Sequence, residues 1–237
     1  MKKDIATTQE AQVPAKATAA KGFEDTIDQS DLLIPRAKKL EAMSPEVQDN
    51  DALKAGMVIN SVTSEVLPDE FVPVFFFKQW MRFNPRDSKD PNFDSQFGPG
   101  DMIYRITDGN DPRLQEDGKW HGETPPVATA FINFFSYFPG VDMPIIVSFC
   151  NTSYKTGRKL LSLARFGGGD MFSKRYKLTT KRTQNDKGSF YVLDVSLAGM
   201  TSEEDLAVAN SYFDNFRGKE VQVHQDADAE GSEKIPF

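Results

Sequence analysis

Apolar residues recur with two different rhythms along this chain, and the rhythm changes near Gly56. Before it, Ser30–Met43 carries Leu32, Leu33, Ala37 and Leu40 near helical spacing, which predicts a short helix limited by Pro35 and Pro45. After it the pattern alternates and is rich in β-branched and aromatic residues, predicting strands near 57–67, 71–83, 101–107, 127–138 and 143–154. Two long polar stretches, 84–100 and 108–126, interrupt them, and loops of that length in a compact domain are usually functional or mobile. From Thr156 to Phe166 the period is helical again and ends at Gly167-Gly168-Gly169. Ser173–Arg182 and Ser189–Leu197 predict a hairpin joined across Asn185-Asp186-Lys187-Gly188. Thr201 with Glu204 three residues on is a capping box, opening a helix that runs to about Phe216. A last short strand, Glu220–His224, precedes an acidic end.

Several strands with one helix inserted before a final hairpin suit a small barrel. The expected fold is mainly β: an OB-fold-like five-stranded barrel with an inserted helix, a C-terminal helix, and disordered N- and C-terminal tails. Another Greek-key barrel or an α+β sheet would give a similar pattern. Residues 1–22, with almost no bulky apolar groups, are expected to be disordered, 23–225 to form a single OB-like domain, and 226–237 to form an acidic tail.

Composition narrows the chemistry. No apolar run approaches the roughly 18–20 residues that span a bilayer, and the N-terminal lysines precede no apolar stretch, so a cytoplasmic protein without a membrane partner is expected. One cysteine, Cys150, and two histidines, His121 and His224, leave no basis for a structural zinc site. The net charge of −7 is unevenly spread. Between Tyr154 and Lys187 stand ten Lys/Arg against Asp170 and Asp186, a charge of +8, so the rest of the chain carries −15. Such asymmetry marks either an anion-binding surface or a solvated basic face.

A strand that grips single-stranded nucleic acid needs cations for phosphates and exposed aromatic rings for bases. In 71–83, Lys78, Trp80 and Arg82 share one strand face, opposite Phe71, Phe75, Phe77, Met81 and Phe83. Trp80 is either a stacking platform or a tryptophan packed under a loop. Arg86 follows in the adjoining loop. In the hairpin, Arg175, Lys177 and Lys181 share a face with Phe190, while Tyr191, Leu193, Val195 and Leu197 are assigned to the core side together with Tyr176 and Leu178. Tyr154 ends the strand before the inserted helix, Lys155, Arg158 and Lys159 begin that helix and Arg165 ends it, and Lys174 and Arg182 complete the basic set. Near 131–138, Phe131, Asn133, Phe135 and Tyr137 alternate with Ile132, Phe134, Ser136 and Phe138; one set must be core, and Tyr137 is a candidate base platform if it is not.

Enzyme readings find little support. Gly167-Gly168-Gly169-Asp170 lacks the Gly-Lys-Ser/Thr of a P-loop, and neither a Gly-x-Ser-x-Gly elbow nor a His-Glu-x-x-His pair is present. Asp94, Asp101, Asp111 and Glu116 supply loop carboxylates for a metal nuclease, but their spacing is not diagnostic. No catalytic residue, metal or cofactor is expected.

Residues 226–237 read Asp-Ala-Asp-Ala-Glu-Gly-Ser-Glu-Lys-Ile-Pro-Phe. An acidic spacer ending in a bulky apolar tip has the physical form of a peptide ligand: Ile235 and Phe237 fill pockets, Pro236 limits the entropy lost, and Asp226, Asp228, Glu230 and Glu233 favour a basic partner. This ending resembles the tip of bacterial single-stranded DNA-binding proteins, which finish with an acidic run and Ile-Pro-Phe. Phage single-stranded DNA-binding proteins of the OB-fold kind likewise end in acidic tails with a terminal aromatic. Lys234 departs from the pattern, standing where that family usually has Asp. The resemblance implies a protein that coats single-stranded DNA with little sequence preference during replication, recombination or repair. It also implies that the tail recruits a polymerase, helicase, nuclease or recombinase, in a bacterial host's cytoplasm if the chain is phage-encoded. A homodimer is left open. The alternatives are an adaptor that captures host replication proteins without binding DNA, and the nuclease.

Overall fold

The longest alternating stretch makes the central strand. In the computed structural model, which describes residues 33–185 and 188–218 and the backbone of 222–223, this strand (β4) runs Glu70–Phe83. Pro73 has no amide hydrogen to give a sheet ladder, and the register slips between Pro73 and Phe75 so that the ladder resumes beyond it. One side of β4 pairs antiparallel with β6 (Ala128–Tyr137) from Val72↔Tyr137 to Arg82↔Ala128, and β6 pairs with β7 (Ile145–Phe149). The other side of β4 is shared. Its start pairs with β8 (Lys174–Asn185) at Glu70 and Phe71, and its end pairs with β5 (Met102–Ile106) from Trp80 to Phe83. β8 and β9 (Gly188–Met200) form a hairpin paired from Lys174↔Met200 to Asn185↔Gly188, as the turn residues predict.

The resulting six-stranded sheet follows the order β7-β6-β4-β8-β9, with β5 beside β4. The protein is therefore mainly β, antiparallel, with a few helices, and the described strands do not close into the expected five-stranded barrel.

Both faces of the sheet are covered, which resolves the alternation in 131–138. Ile132, Phe134 and Phe138 of β6 and its turn join Ile145, Val147 and Phe149 of β7 in one core. Over that core lie the helix α3 (Tyr154–Phe166) and the hairpin residues Tyr176, Leu178, Leu193 and Val195. On the reverse face Phe135 and Ile146 meet Val72, Val74 and the helix α4 (Glu203–Phe216), which contributes Ala209, Tyr212, Phe213 and Phe216. One set had to be core; in the fold both are. Each side is fixed by aromatic contacts, Phe71 stacking on Phe138 at 5.5 Å and Phe75 on Phe135 at 4.7 Å.

α3 approaches the sheet closely because of Gly157. A Cβ there would stand 2.8 Å from Phe149 Cβ and 3.3 Å from Ile132 Cβ. α4 begins with Ser202, whose hydroxyl accepts from the Asp205 amide as an N-cap.

The expected helix over Ser30–Met43 is not formed in its described part. Leu33–Ile34 (β1) and Ala37–Lys39 (β2) are extended, β1 pairing with Gln222–Val223 (β10) and β2 with Val58–Asn60 (β3). Pro35 prevents a continuous helix, and burying Ile34 against Ile146 and Leu40 against Leu53 and Ile59 outweighs the weak local preference. The strand expected over 57–67 is only three residues long, and two short helices were not foreseen, α1 (Pro45–Asp49) and α2 (Leu114–Asp117). Residues 1–22 and 226–237, for which disorder and partner binding are expected, lie outside the described residues. No helix among the described residues is long and apolar enough to cross a membrane.

Candidate nucleic-acid interface

The basic residues of 154–187 do not form one continuous cationic face, because the fold brings distant carboxylates to the hairpin. Lys177 Nζ lies 2.7 Å from Asp69, Arg175 3.2 Å from Glu70, and Lys181 2.5 Å from Asp194. Asp194 also takes Lys159 of α3 at 3.0 Å, so one carboxylate is shared between two ammonium groups and offsets one of their charges. These contacts, Lys181 first, hold the Asp194 carboxyl below its ordinary range, and Asp69 raises Lys177 above its own. Phe190 falls opposite Thr183 in the register, on the Lys181 side of the hairpin as expected, and Arg182 bonds the Ser189 hydroxyl at 3.2 Å.

What remains cationic gathers on α3. Its sequence holds Lys155, Arg158, Lys159 and Arg165 and no acidic residue. Lys155, Arg158 and Arg165 are exposed and have no acidic partner among the described residues. They lie off the buried stripe of Gly157, Leu160 and Ala164, so the same periodicity that seats the helix turns them outward. Tyr154 opens α3 but packs against the core, so it is not a free ring. Lys174 follows the glycine run, and its Nζ bonds the Gly167 carbonyl.

Lys78 belongs to this side of the molecule. It pairs opposite Ile132, and Ile132 is the residue against which Gly157 of α3 rests, so Lys78 and α3 share a face of the sheet. It is exposed.

Trp80 and Arg82 share that strand face but lie at the far end of β4, under the loops. Trp80 packs with Ile106, Leu114 and Ala128, and a Cβ on Gly109 would stand 3.1 Å from its ring. Of its two sequence readings, the tryptophan packed under a loop describes this environment. Arg82 is bound to Asp117 at 3.0 Å, and Asp117 also accepts the Tyr104 hydroxyl at 2.6 Å. Burial and that bond push the Tyr104 phenol well above its usual value. Arg86 lies in the adjoining loop, near Gly100. The structure does not bring this group to the α3 cations.

Tyr137 is on the opposite face. Its ring meets Tyr212 of α4 edge-on at 6.1 Å, and burial together with the charge of Asp205 raises its phenol. As a base platform it is separated from the cations by the sheet.

The loop carboxylates serve their own turns. Asp94 Oδ1 accepts from the Gln96 amide, Asp101 Oδ2 from Gly98, and Asp111 is clamped by Arg113 at 2.8 Å, which holds it at about 2. Asn84, buried, ties the first loop by donating to the carbonyls of Asp94, Phe97 and Gly98. No group of three or more metal-binding side chains forms among the described residues.

Three exposed rings are not singled out by the sequence pattern: Phe166 is 86% exposed, Trp120 58% and Phe76 41%. Phe166 had a readable signal: four and seven residues beyond Ser162 and Lys159, it continues the polar stripe of α3 rather than the apolar one. Trp120 had none, since it sits in an irregular loop.

The fold and the site thus define a mainly antiparallel β protein whose helix α3 presents exposed cations and no carboxylate. The model of the Pam3 phage gp34-like protein family matches residues 3–222, and the chain belongs to that phage family. No curated protein and no solved structure matches it.

Proposed function

We propose that this protein binds single-stranded DNA without strong sequence preference, through the α3 face, and recruits replication, recombination or repair proteins through its acidic Ile-Pro-Phe tail. The observation that carries the reading is the selective survival of charge on α3. Arg175, Lys177 and Lys181 of the hairpin are matched by Glu70, Asp69 and Asp194, whereas Lys155, Arg158 and Arg165 face solvent unmatched among the described residues. Phosphate binding releases counterions only where cations are free to meet phosphates. Lys78 and Lys174 extend the same side. A helix stands between β7 and the β8–β9 hairpin, and a helix inserted before a final hairpin supports an OB-like reading. Membership of a phage family favours a bacterial host's cytoplasm as the place of action.

The test is titration of the full chain with labelled oligo-dT at two salt concentrations. Binding that weakens steeply with salt is the expected result. Absence of binding at low salt, also after removal of residues 226–237, would overturn it and leave the adaptor reading in front. Degradation of the strand only with added divalent metal would instead identify a nuclease.

A further inference from the structure

Phe166 ends α3 with most of its ring in water, an arrangement that burial alone does not explain. Its position relative to the hairpin can be followed bond by bond. α3 runs along the outer edge of β9: Thr156 Oγ1 donates to the Leu193 carbonyl at 2.9 Å and Lys159 Nζ to the Val195 carbonyl at 2.5 Å. About two turns further on, Lys174 Nζ bonds the carbonyl of Gly167, the residue after Phe166. Lys174 itself pairs with Met200 in the β8–β9 register, and Arg175 Nε donates to the Met200 carbonyl at 3.2 Å. Phe166 and Met200 therefore flank the same lysine. Met200 is 65% exposed, and Leu197, three residues back on β9, is 56% exposed. Three exposed apolar side chains, Phe166, Met200 and Leu197, thus gather near the C-terminal end of the cationic helix, beside Arg165 and Lys174.

Resting on the reading that α3 meets single-stranded DNA, we propose that this apolar group is where a base lands, with Phe166 as the stacking platform and Lys155, Arg158 and Arg165 tracking the phosphates. Three features favour a nucleic-acid strand as occupant. The helix has four cations and no carboxylate, which suits a polyanion. The exposed ring is continuous with that charge, and bases stack on aromatic faces whatever their identity. A duplex keeps its base faces inside the stack, so the occupant is a single strand.

The test uses the full chain, a labelled oligo-dT and an abasic strand of the same length, read by fluorescence anisotropy. Phe166 is too exposed for its replacement to threaten folding, so Phe166→Ala, Phe166→Leu and Phe166→Tyr can be compared directly. Expected is binding of oligo-dT about tenfold weaker for Phe166→Ala and Phe166→Leu and close to wild type for Phe166→Tyr. The abasic strand should be bound equally by all four proteins. Unchanged oligo-dT binding by Phe166→Ala would overturn the platform, as would a Phe166→Leu variant that binds like wild type, since an apolar contact would then suffice. An equal loss on the abasic strand would also overturn it. Failure of the wild-type chain to bind either strand at low salt is a different result, and overturns the DNA-binding reading together with the platform.

Discussion

Lys181 on β8 and Asp194 on β9 lie 2.5 Å apart across the hairpin, and the same carboxylate holds Lys159 of α3. Asp194 thus decides how much of the basic segment is available to an anion. Replacing it with Asn is expected to tighten oligo-dT binding at low salt. The salt dependence should steepen by about 0.7 for each ammonium that finds a phosphate. The stability cost should stay below about 1 kcal/mol, because Lys181 is largely in water. Paired titrations of wild type and Asp194→Asn at several salt concentrations check this.

The same pair has a pH signature. The folded Asp194 pKa is depressed, first by Lys181 and then by Lys159. Its contribution to stability is therefore fully present above the ordinary aspartate range, about 4, and is lost as pH falls through the lower folded value. The melting-temperature difference between wild type and Asp194→Asn should be constant near neutrality and shrink only in acid. A difference that grew on acidification would contradict the assignment.

Charge reversal on α3 should act on binding without acting on folding. Lys155→Glu, Arg158→Glu and Arg165→Glu touch exposed groups with no acidic partner among the described residues, so the triple variant should melt near wild type. Its oligo-dT affinity should collapse, and the slope of log K against log salt should fall by about 2.

Gly157→Ala tests how α3 is seated. A methyl there must displace Phe149 Cβ, 2.8 Å away, or lift the helix off the sheet. Overpacking of this kind costs about 1–3 kcal/mol, which exceeds the gain in helix propensity. Chemical denaturation would show it.

Asn84→Ala should release the 84–101 loop. Its amide serves three carbonyls and its Oδ1 accepts from the Asp94 amide at 2.8 Å, with Asn84 itself nearly out of water. Losing these partners should cost about 1–3 kcal/mol and make that loop the first site of limited proteolysis.

Much of the fold was legible because it follows local rhythm. The strands from 70 to 149, the hairpin turn at Asn185–Gly188, and both long helices lie where alternation and helical spacing place them, although the second long helix is capped by Ser202 with Asp205 rather than by Thr201 with Glu204. The stretch around Pro35 was misread because its apolar spacing also suits short strands once Ile146 and Ile59 are there to receive them. The charge pattern misled for a related reason. Asp69 and Glu70 are more than a hundred positions from Lys177 and Arg175 in sequence, so their neutralising effect appears only when β4 meets β8. The sequence leaves Trp80 between two readings because the loop carrying Gly109, which covers it, has no periodicity to announce its path.

A strand at the end of a sheet offers unpaired carbonyls and amides to any other extended chain, and that is how sheets grow between molecules. β9 ends the main path here, yet its Leu193 and Val195 carbonyls are already taken by Thr156 and Lys159. Along that stretch a second copy finds no open acceptors to continue the ladder. The helix that faces solvent with its cations thereby also keeps other extended chains from zipping onto that edge of the sheet.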